Sequence, residues 1–129
     1  MKAHIQRNKD KTTSRLYSDA VKAGNHVYLS GQVALNEKGE LVGKNDIEAQ
    51  TRQVMKNIQG LLVEVGASLE DVVKITVYLR KLEDRPSFHK IRSEFFGSVD
   101  KLPASTLVVV DSLANQDWLV EVDAIAVVD

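Results

Sequence analysis

The fold of this chain is decided by the run Val120–Val127 within its last predicted strand, which has the sequence VEVDAIAV. Successive residues of an extended strand point to opposite faces, so Val120 and Val122 share one face while Glu121 and Asp123 lie on the other. Both faces are otherwise aliphatic. Such a strand needs cover on both sides, and in so small a domain we expect helices on one face and a second copy of the chain on the other. The pattern therefore predicts a sandwich that forms a homo-oligomer.

Length and composition bound the class of protein. The chain has 129 residues, the size of one domain, and we expect a single domain over residues 1–129. Seventeen basic against eighteen acidic residues give a net charge of −1, which provides no electrostatic argument for binding to nucleic acid or to a membrane. The sequence has no cysteine, no secretory apolar segment near its start and no run approaching the roughly 20 apolar residues of a membrane span. We expect a soluble, cytoplasmic protein.

Two further strands are predicted from alternation with a period of two. In the segment His26–Val33 the alternation places Gly31 on the apolar face, and Ser30 and Gln32 on the other face. The segment Val72–Leu79 is rich in β-branched residues, which favours a strand. Its predicted core face consists of Val73, Ile75, Val77 and Leu79.

A helix is predicted between these strands. Asn45 and Glu48 have the spacing of a capping box, which predicts that the helix begins near Asp46. Gly66 can adopt the left-handed conformation that ends helices. The apolar stripe of this helix consists of Ile47, Val54, Ile58, Leu61, Leu62 and Val65.

A second helix follows the strand Val72–Leu79. Asp84 is its predicted cap, Pro86 lies in its first turn and Gly97 follows its end. Its buried stripe consists of Phe88, Ile91, Phe95 and Phe96. Strands over Ala104–Val110 and Trp118–Val128 close the chain. The order of hairpin, helix, strand, helix and two strands predicts an α+β sandwich with both helices on one sheet face.

Glu121 is the strongest candidate for a functional side chain. It lies between valines on a strand that is otherwise almost wholly apolar, where an ionised carboxylate needs hydrogen-bond partners or a raised pKa. Acids in such positions are often functional. The alternative is a structural carboxylate bonded to a turn or to a neighbouring subunit, and the residues alone leave both open.

Four short runs appear together in the order and spacing of one protein family: Leu16–Val21, Leu29–Gln32, Ala49–Val54 and Val120–Val127. On these runs the chain resembles the RidA/YjgF family over almost its whole length. The resemblance implies a chorismate-mutase-like fold, with a six-stranded mixed sheet, two helices on one face, and a trimer around a central barrel with small-molecule clefts between subunits. Family members with activity hydrolyse enamines and imines to carbonyl compounds and ammonia, without a cofactor.

The resemblance also implies roles for single residues. Glu121 matches the first acid of the family's Glu-x-Glu/Asp-Ala run, which is thought to position the attacking water, a task that suits a carboxylate. Asp123 matches the second acid and more often looks structural. Tyr17 matches an aromatic residue of the cleft, although a tyrosine packed at the subunit boundary is the alternative. Gly31 matches a glycine that lets a ligand approach, although a bulge is the alternative, and Ser30 and Gln32 carry a weaker functional claim.

One expected residue is missing from this chain. After Pro103-Ala104, deaminating relatives continue with an arginine that grips the substrate carboxylate, whereas this chain has Ser105 and no arginine beyond Arg92. Leu107 stands where relatives often carry a small Cys or Thr near the proposed water. Arg15 is a candidate replacement cation. We therefore expect weak or absent activity on 2-aminoacrylate and a more neutral or differently anchored ligand.

Three functions remain open at this point. The first is an enamine or imine deaminase of altered specificity, and the second is a non-catalytic trimer that binds a small metabolite and reports or buffers it. Ribonuclease activity, which has been attached to some relatives, is least favoured because the chain is nearly neutral and its sequence predicts no aromatic and basic groove. No metal site is expected, since the three histidines His4, His26 and His89 lack ligand spacing.

Overall fold

The computed structural model describes residues 1–6, 16–97 and 99–129, and within them six strands form one mixed sheet that carries two helices. The strands are β1 (Lys2–Ile5), β2 (Ala20–Ala23), β3 (His26–Gln32), β4 (Val72–Leu79), β5 (Ala104–Val109) and β6 (Val120–Val127). The helices are α1 (Ile47–Glu64) and α2 (Arg85–Phe95). The predicted α+β architecture, with its six-stranded mixed sheet and two helices, is confirmed. No described helix has the length and apolar character needed to cross a membrane.

The strand order places β6 in the middle of the sheet. The order is β1-β2-β3-β6-β4-β5, and β6 pairs antiparallel with both β3 and β4. Strands β4 and β5 are parallel, because the chain crosses through α2 between them. Glu121 therefore lies between β3 and β4, whereas Ser105 lies on the edge strand β5.

The core lies between the sheet and the two helices. The side chains of β6 alternate as its sequence predicts: Val120 and Val122 are fully buried, whereas Glu121 and Asp123 on the opposite face are half-buried. The largest fully buried apolar side chains are Phe88, Met55, Ile58, Leu61, Leu62, Ile75, Leu79 and Ile91. Cover of the second face by another subunit stays a prediction.

The predicted alternation of β3 is wrong at its end. The register against β6 shifts between Leu29 and Gln32, which marks a β-bulge. As a result Gln32 is buried and pairs with Val122, although it was expected on the outer face. Gly31 is turned the other way, because a Cβ at this position would meet Glu121.

The predicted core face of β4 is wrong at Val73. The register between β4 and β6 shifts between Val72 and Lys74. Val72 is buried in consequence, whereas Val73 remains 48% exposed. The alternation predicted from Ile75 onward is confirmed.

The cap of α1 lies one residue later than predicted. Asp46 is the N-cap, and its Oδ1 accepts a hydrogen bond from the backbone N–H of Ala49 at 3.0 Å. Asn45 instead adopts a positive φ of 61°, which asparagine tolerates better than most residues, so the capping box with Glu48 is wrong. At the other end Gly66 has a φ of 76°, as predicted for the end of the helix.

Helix α2 begins and ends as predicted. Asp84 is the N-cap residue, although its side chain makes no capping hydrogen bond, and Pro86 lies in the first turn. Phe88 and Ile91 are fully buried in the predicted stripe. The helix ends at Phe95, before Gly97.

Gln50 joins α1 to the segment that leads into β6. Its side chain is fully buried. The amide Nε2 donates to the carbonyl oxygens of Gly43 and Asp117, both at 3.0 Å, and Oε1 accepts from the N–H of Leu119 at 2.9 Å. One side chain therefore satisfies three backbone groups in the core.

We expect Gln50→Leu to lower the free energy of unfolding by about 2–4 kcal/mol, because it leaves three buried backbone groups without their partner. Urea denaturation measures the change. The matched control is Gln59→Leu, at an exposed glutamine of the same helix, which should change stability by less than about 0.5 kcal/mol. Equal stability of the two variants would contradict the structural role of the Gln50 amide.

Candidate functional site

A cavity of about 1210 Å³ opens at the bulge of β3. Four of the residues predicted from sequence line it: Tyr17, Ser30, Gly31 and Glu121. They come from the loop before β2, from the bulge and from the central strand β6. The fold thus brings these four together in one chain.

Gly31 and the carboxylate of Glu121 lie in direct contact. A Cβ at Gly31 would stand 2.8 Å from the carboxyl carbon of Glu121 and 3.0 Å from its Cγ, closer than carbon atoms pack. The missing side chain therefore leaves room for the carboxylate over the β3 backbone. A ligand that reaches Gly31 also reaches Glu121.

The surroundings of Glu121 favour its protonated form. Half-burial of the side chain raises its pKa, and repulsion from the Asp123 carboxylate raises it further. Among the described residues Glu121 has no ion-pair partner. A carboxyl group with a raised pKa accepts a proton more readily than an ordinary glutamate does, as a general base requires.

Asp123 is held by the neighbouring strand. The hydroxyl group of Tyr78, on β4, donates a hydrogen bond to Asp123 Oδ2 at 3.3 Å. The Asp123 charge is the main cause that raises the pKa of Tyr78, followed by burial. This bond supports the structural role expected for Asp123.

Ser30 holds the segment that carries Tyr17. Its hydroxyl group donates a hydrogen bond to the carbonyl oxygen of Ser18 at 2.7 Å, and its backbone N–H donates one to the carbonyl oxygen of Asp19 at 2.9 Å. Gln32 Nε2 donates to the Ser30 carbonyl oxygen at 3.0 Å and closes the bulge. The Ser30 hydroxyl proton is therefore engaged within the fold, and Ser30 positions the wall of the cavity.

Tyr17 lies at the mouth of the cavity. It is 52% exposed, so its ring remains accessible to a ligand or a second chain. Its carbonyl oxygen accepts a hydrogen bond from Gln6 Nε2 at 3.3 Å, which ties the loop to the residue after β1.

Among the other residues of this cavity wall, sequence reasoning did not single out Asp19 or Trp118, and it gave Gln32 only a weak functional claim. Asp19 is only 4% exposed, and it lies within the first of the four family-like runs. Gln32 was assigned to the outer face because a bulge leaves no mark in the alternation. Trp118 lies between Asp117 and Leu119, two of the three residues that the Gln50 side chain binds. It is the one tryptophan of the sequence, which is a signal that could identify it.

Ser105 and Leu107 lie elsewhere in the chain. They line a separate groove of about 520 Å³ between β5 and α2, which includes none of the four residues around Glu121. The register explains this separation, since Ser105 pairs with Ile75 and Leu107 with Val77, whose side chains face the helices. Arg15 lies outside the described residues.

The groove carries three basic residues that sequence reasoning did not place in a site. Arg85, His89 and Arg92 line it together with Ser105 and Leu107. Their spacing of i, i+4 and i+7 puts them on one side of α2, and this spacing was visible once a helix was predicted there. Within the described residues no group of three or more His, Cys, Asp or Glu is arranged to hold a metal ion.

Comparisons with known proteins give one consistent result. The family model described as "Endoribonuclease L-PSP" matches residues 9–128. A RutC family protein of Pyrococcus abyssi is 46% identical over 111 residues, covering 85% of this chain and 84% of the relative. A 2-iminobutanoate/2-iminopropanoate deaminase of Dermatophagoides farinae is 34% identical, covering 88% and 86%. The crystal structure of RidA from an Antarctic Psychrobacter is 33% identical, with a TM-score of 0.84 over 98% of this chain and 99% of that one.

Proposed function

This chain belongs to the RidA/YjgF family, whose family model is described as endoribonuclease L-PSP, and on that premise we propose that it hydrolyses a small enamine or imine. The products are a carbonyl compound and ammonia. The observation that carries the proposal is the half-buried carboxylate of Glu121, held over Gly31 at a cavity and with a raised pKa. The relative from Dermatophagoides farinae, named for deamination of two imino acids, supports this class of reaction.

The chemistry requires one group that moves protons at the attacking water. Glu121 accepts a proton from the water as the water oxygen bonds to the carbon of the protonated imine, which forms a neutral carbinolamine. The protonated carboxyl group then returns that proton to the carbinolamine nitrogen. As the C–N bond breaks and ammonia leaves, the carbinolamine hydroxyl group gives its proton to the Glu121 carboxylate and becomes the carbonyl oxygen, and Glu121 releases that proton to solvent. Water is consumed and ammonia leaves, so no cofactor is needed.

We propose that the complete site forms between subunits of a homotrimer in the cytoplasm. The Glu121 cavity and the Ser105 groove are separate in one chain, and a groove on an edge strand can be brought to a neighbour's cavity. The half-buried, partly aliphatic outer face of β6 supports the burial of this face by other subunits.

The test is hydrolysis of 2-iminobutanoate generated in situ by a dehydratase, with 2-oxobutanoate release measured against the uncatalysed rate. Acceleration in proportion to protein concentration supports the deaminase. Stoichiometric ligand binding without faster release would overturn it in favour of the second candidate, a metabolite-binding trimer. That candidate is favoured by Ser105, which supplies no charge where the family resemblance implies an arginine.

Mixed trimers test whether two subunits share each site. Glu121→Gln disables the cavity and Ser105→Trp fills the groove, so each variant alone should be inactive. Trimers reassembled from equal amounts of both should recover about a quarter of the activity, because a quarter of the clefts combine two intact halves. No recovery would contradict a shared cleft.

A further inference from the structure

The groove between β5 and α2 has the charge of an anion site. Its lining comprises Leu82, Arg85, Phe88, His89, Arg92, Ser105, Leu107 and Val109, which includes two arginines and a histidine but no acid. Phe88 is fully buried and Arg92 is half-buried, so part of the groove lies away from open solvent. Charged hydrogen bonds are stronger under such conditions than in open solvent.

Arg92 differs in burial from the other two basic residues of this groove, since Arg85 and His89 are exposed. It is half-buried, and its carbon ζ lies 5.8 Å from the ring centroid of Phe88. Among the described residues its guanidinium makes no ion pair and no hydrogen bond. Burial lowers the pKa of Arg92, and no neighbouring carboxylate offsets this effect.

The other charges of α2 are engaged on the opposite side of the helix. Lys90 pairs with Glu48 at 3.3 Å, and Glu94 pairs with Arg52, so both are directed to α1. Glu94 is therefore not available to neutralise Arg92. The fold sorts the charges of α2 into a paired row against α1 and an unpaired basic row along the groove.

A half-buried guanidinium without an anion loses hydration, and the contact of Arg92 with the Phe88 ring offsets only part of that cost. We propose that Arg92, supported by Arg85 and the Ser105 hydroxyl group, binds the carboxylate of an imino or enamino acid. This proposal rests on the proposed function. The planar guanidinium offers two parallel N–H donors to a carboxylate, and Ser105 can add a neutral one. The anchor thus comes from helix α2 in place of an arginine at position 105, so the ligand is anchored differently and need not be neutral.

Direct binding of the product anion tests this assignment without catalysis. 2-Oxobutanoate is titrated into the trimer by calorimetry, with the neutral 2-oxobutanamide as comparison. We expect Arg92→Gln to weaken 2-oxobutanoate binding at least about tenfold and to leave the amide unchanged, with Arg92→Lys between the two. The control Arg52→Gln removes an arginine of α1 that pairs with Glu94, away from the groove. Its affinity for 2-oxobutanoate should equal that of the unaltered protein. Equal affinity of Arg92→Gln and the unaltered protein for the anion would overturn the assignment.

A second variant keeps the test decisive if Arg92→Gln does not fold. Ser105 is exposed, so Ser105→Glu should fold, and its carboxylate would occupy the cation. Binding of 2-oxobutanoate should then fall, and unaltered binding would count against the anion site.

Failure of the proposed function has a different signature. If Glu121→Gln keeps both binding and turnover, the catalytic assignment of Glu121 fails while the Arg92 site stands. If turnover needs Glu121 but Arg92→Gln has the same KM as the unaltered protein, the Arg92 site fails while the proposed function stands.

Discussion

Replacing Glu121 with glutamine is expected to slow imine hydrolysis by about 100- to 10,000-fold, because glutamine cannot accept the proton of the attacking water. The side chain keeps its size, so it still fits over Gly31. Ligand binding should persist, since the proposed carboxylate anchor lies on α2. A fall in kcat with little change in the affinity for 2-oxobutanoate is the expected pattern.

The same substitution should stabilise the folded chain at neutral pH. The folded-state pKa of Glu121 is raised by burial and by Asp123, so the folded state binds its proton more tightly than the unfolded state does. The stability that this proton contributes is present below the ordinary glutamate pKa and is lost as the pH rises through the raised value. Once the pH has risen through the raised value, the unaltered protein lacks this stabilising contribution because the half-buried carboxylate is charged. The glutamine of Glu121→Gln carries no charge, so it does not pay this penalty.

Urea denaturation at pH 7 and below about pH 4 measures this difference. The gain in stability from Glu121→Gln should be larger at pH 7 than at the acidic pH. Glu70→Gln, at an exposed acid whose pairing distance to Lys101 is 3.8 Å, is the control and should show little dependence on pH. The kcat/KM of the unaltered protein should likewise fall as Glu121 becomes protonated, at a pH above the ordinary glutamate range. A variant that loses activity and stability together would contradict this account.

Gly31→Ala is expected to lower turnover about 100-fold while changing the free energy of unfolding by less than about 1 kcal/mol. The added methyl group would meet the far end of the Glu121 side chain rather than backbone. The flexible carboxylate can move away at small cost, but a displacement of about 1 Å from its reacting position is enough to cost a factor of this size.

Turnover and urea denaturation of the same variant separate the two effects. Gly97→Ala is the matched control, because a Cβ at Gly97 meets nothing within 4 Å and its backbone does not have a positive φ. The double variant Gly31→Ala/Glu121→Gln should be no slower than Glu121→Gln alone, since both act on one carboxylate. Additive losses would show that Gly31 acts independently of Glu121.

The residues around Glu121 could be predicted from sequence because an acid between valines is visible without a structure. Their contact could not, because it depends on the bulge that turns Gly31 toward Glu121 and buries Gln32. Period-two alternation carries no signal for one extra residue, and the same limit explains the error at Val73. The cap of α1 was misplaced for a different reason, since Asn45 and Asp46 are both good caps and the backbone decides between them.

The surroundings of Ser105 could not be predicted from the sequence alone. Its difference from relatives was apparent at once, but its neighbours were not, because they come from α2, a different segment of the chain. Arg92 was noted only as the last arginine before Ser105. The parallel pairing of β4 with β5 lays the edge strand along α2 and brings Arg92 and Ser105 into one groove.

The three hydrogen bonds of Gln50 set how the chain should open under native conditions. The Leu119 N–H is bonded to a fully buried side chain of α1, two residues before Glu121. Its exchange with deuterium should therefore need disruption of the core and proceed on the timescale of global unfolding, whereas exposed loop amides exchange far sooner. The wall of the cavity around Trp118 cannot loosen ahead of the domain, so warming should remove ligand binding and the folded state in a single transition.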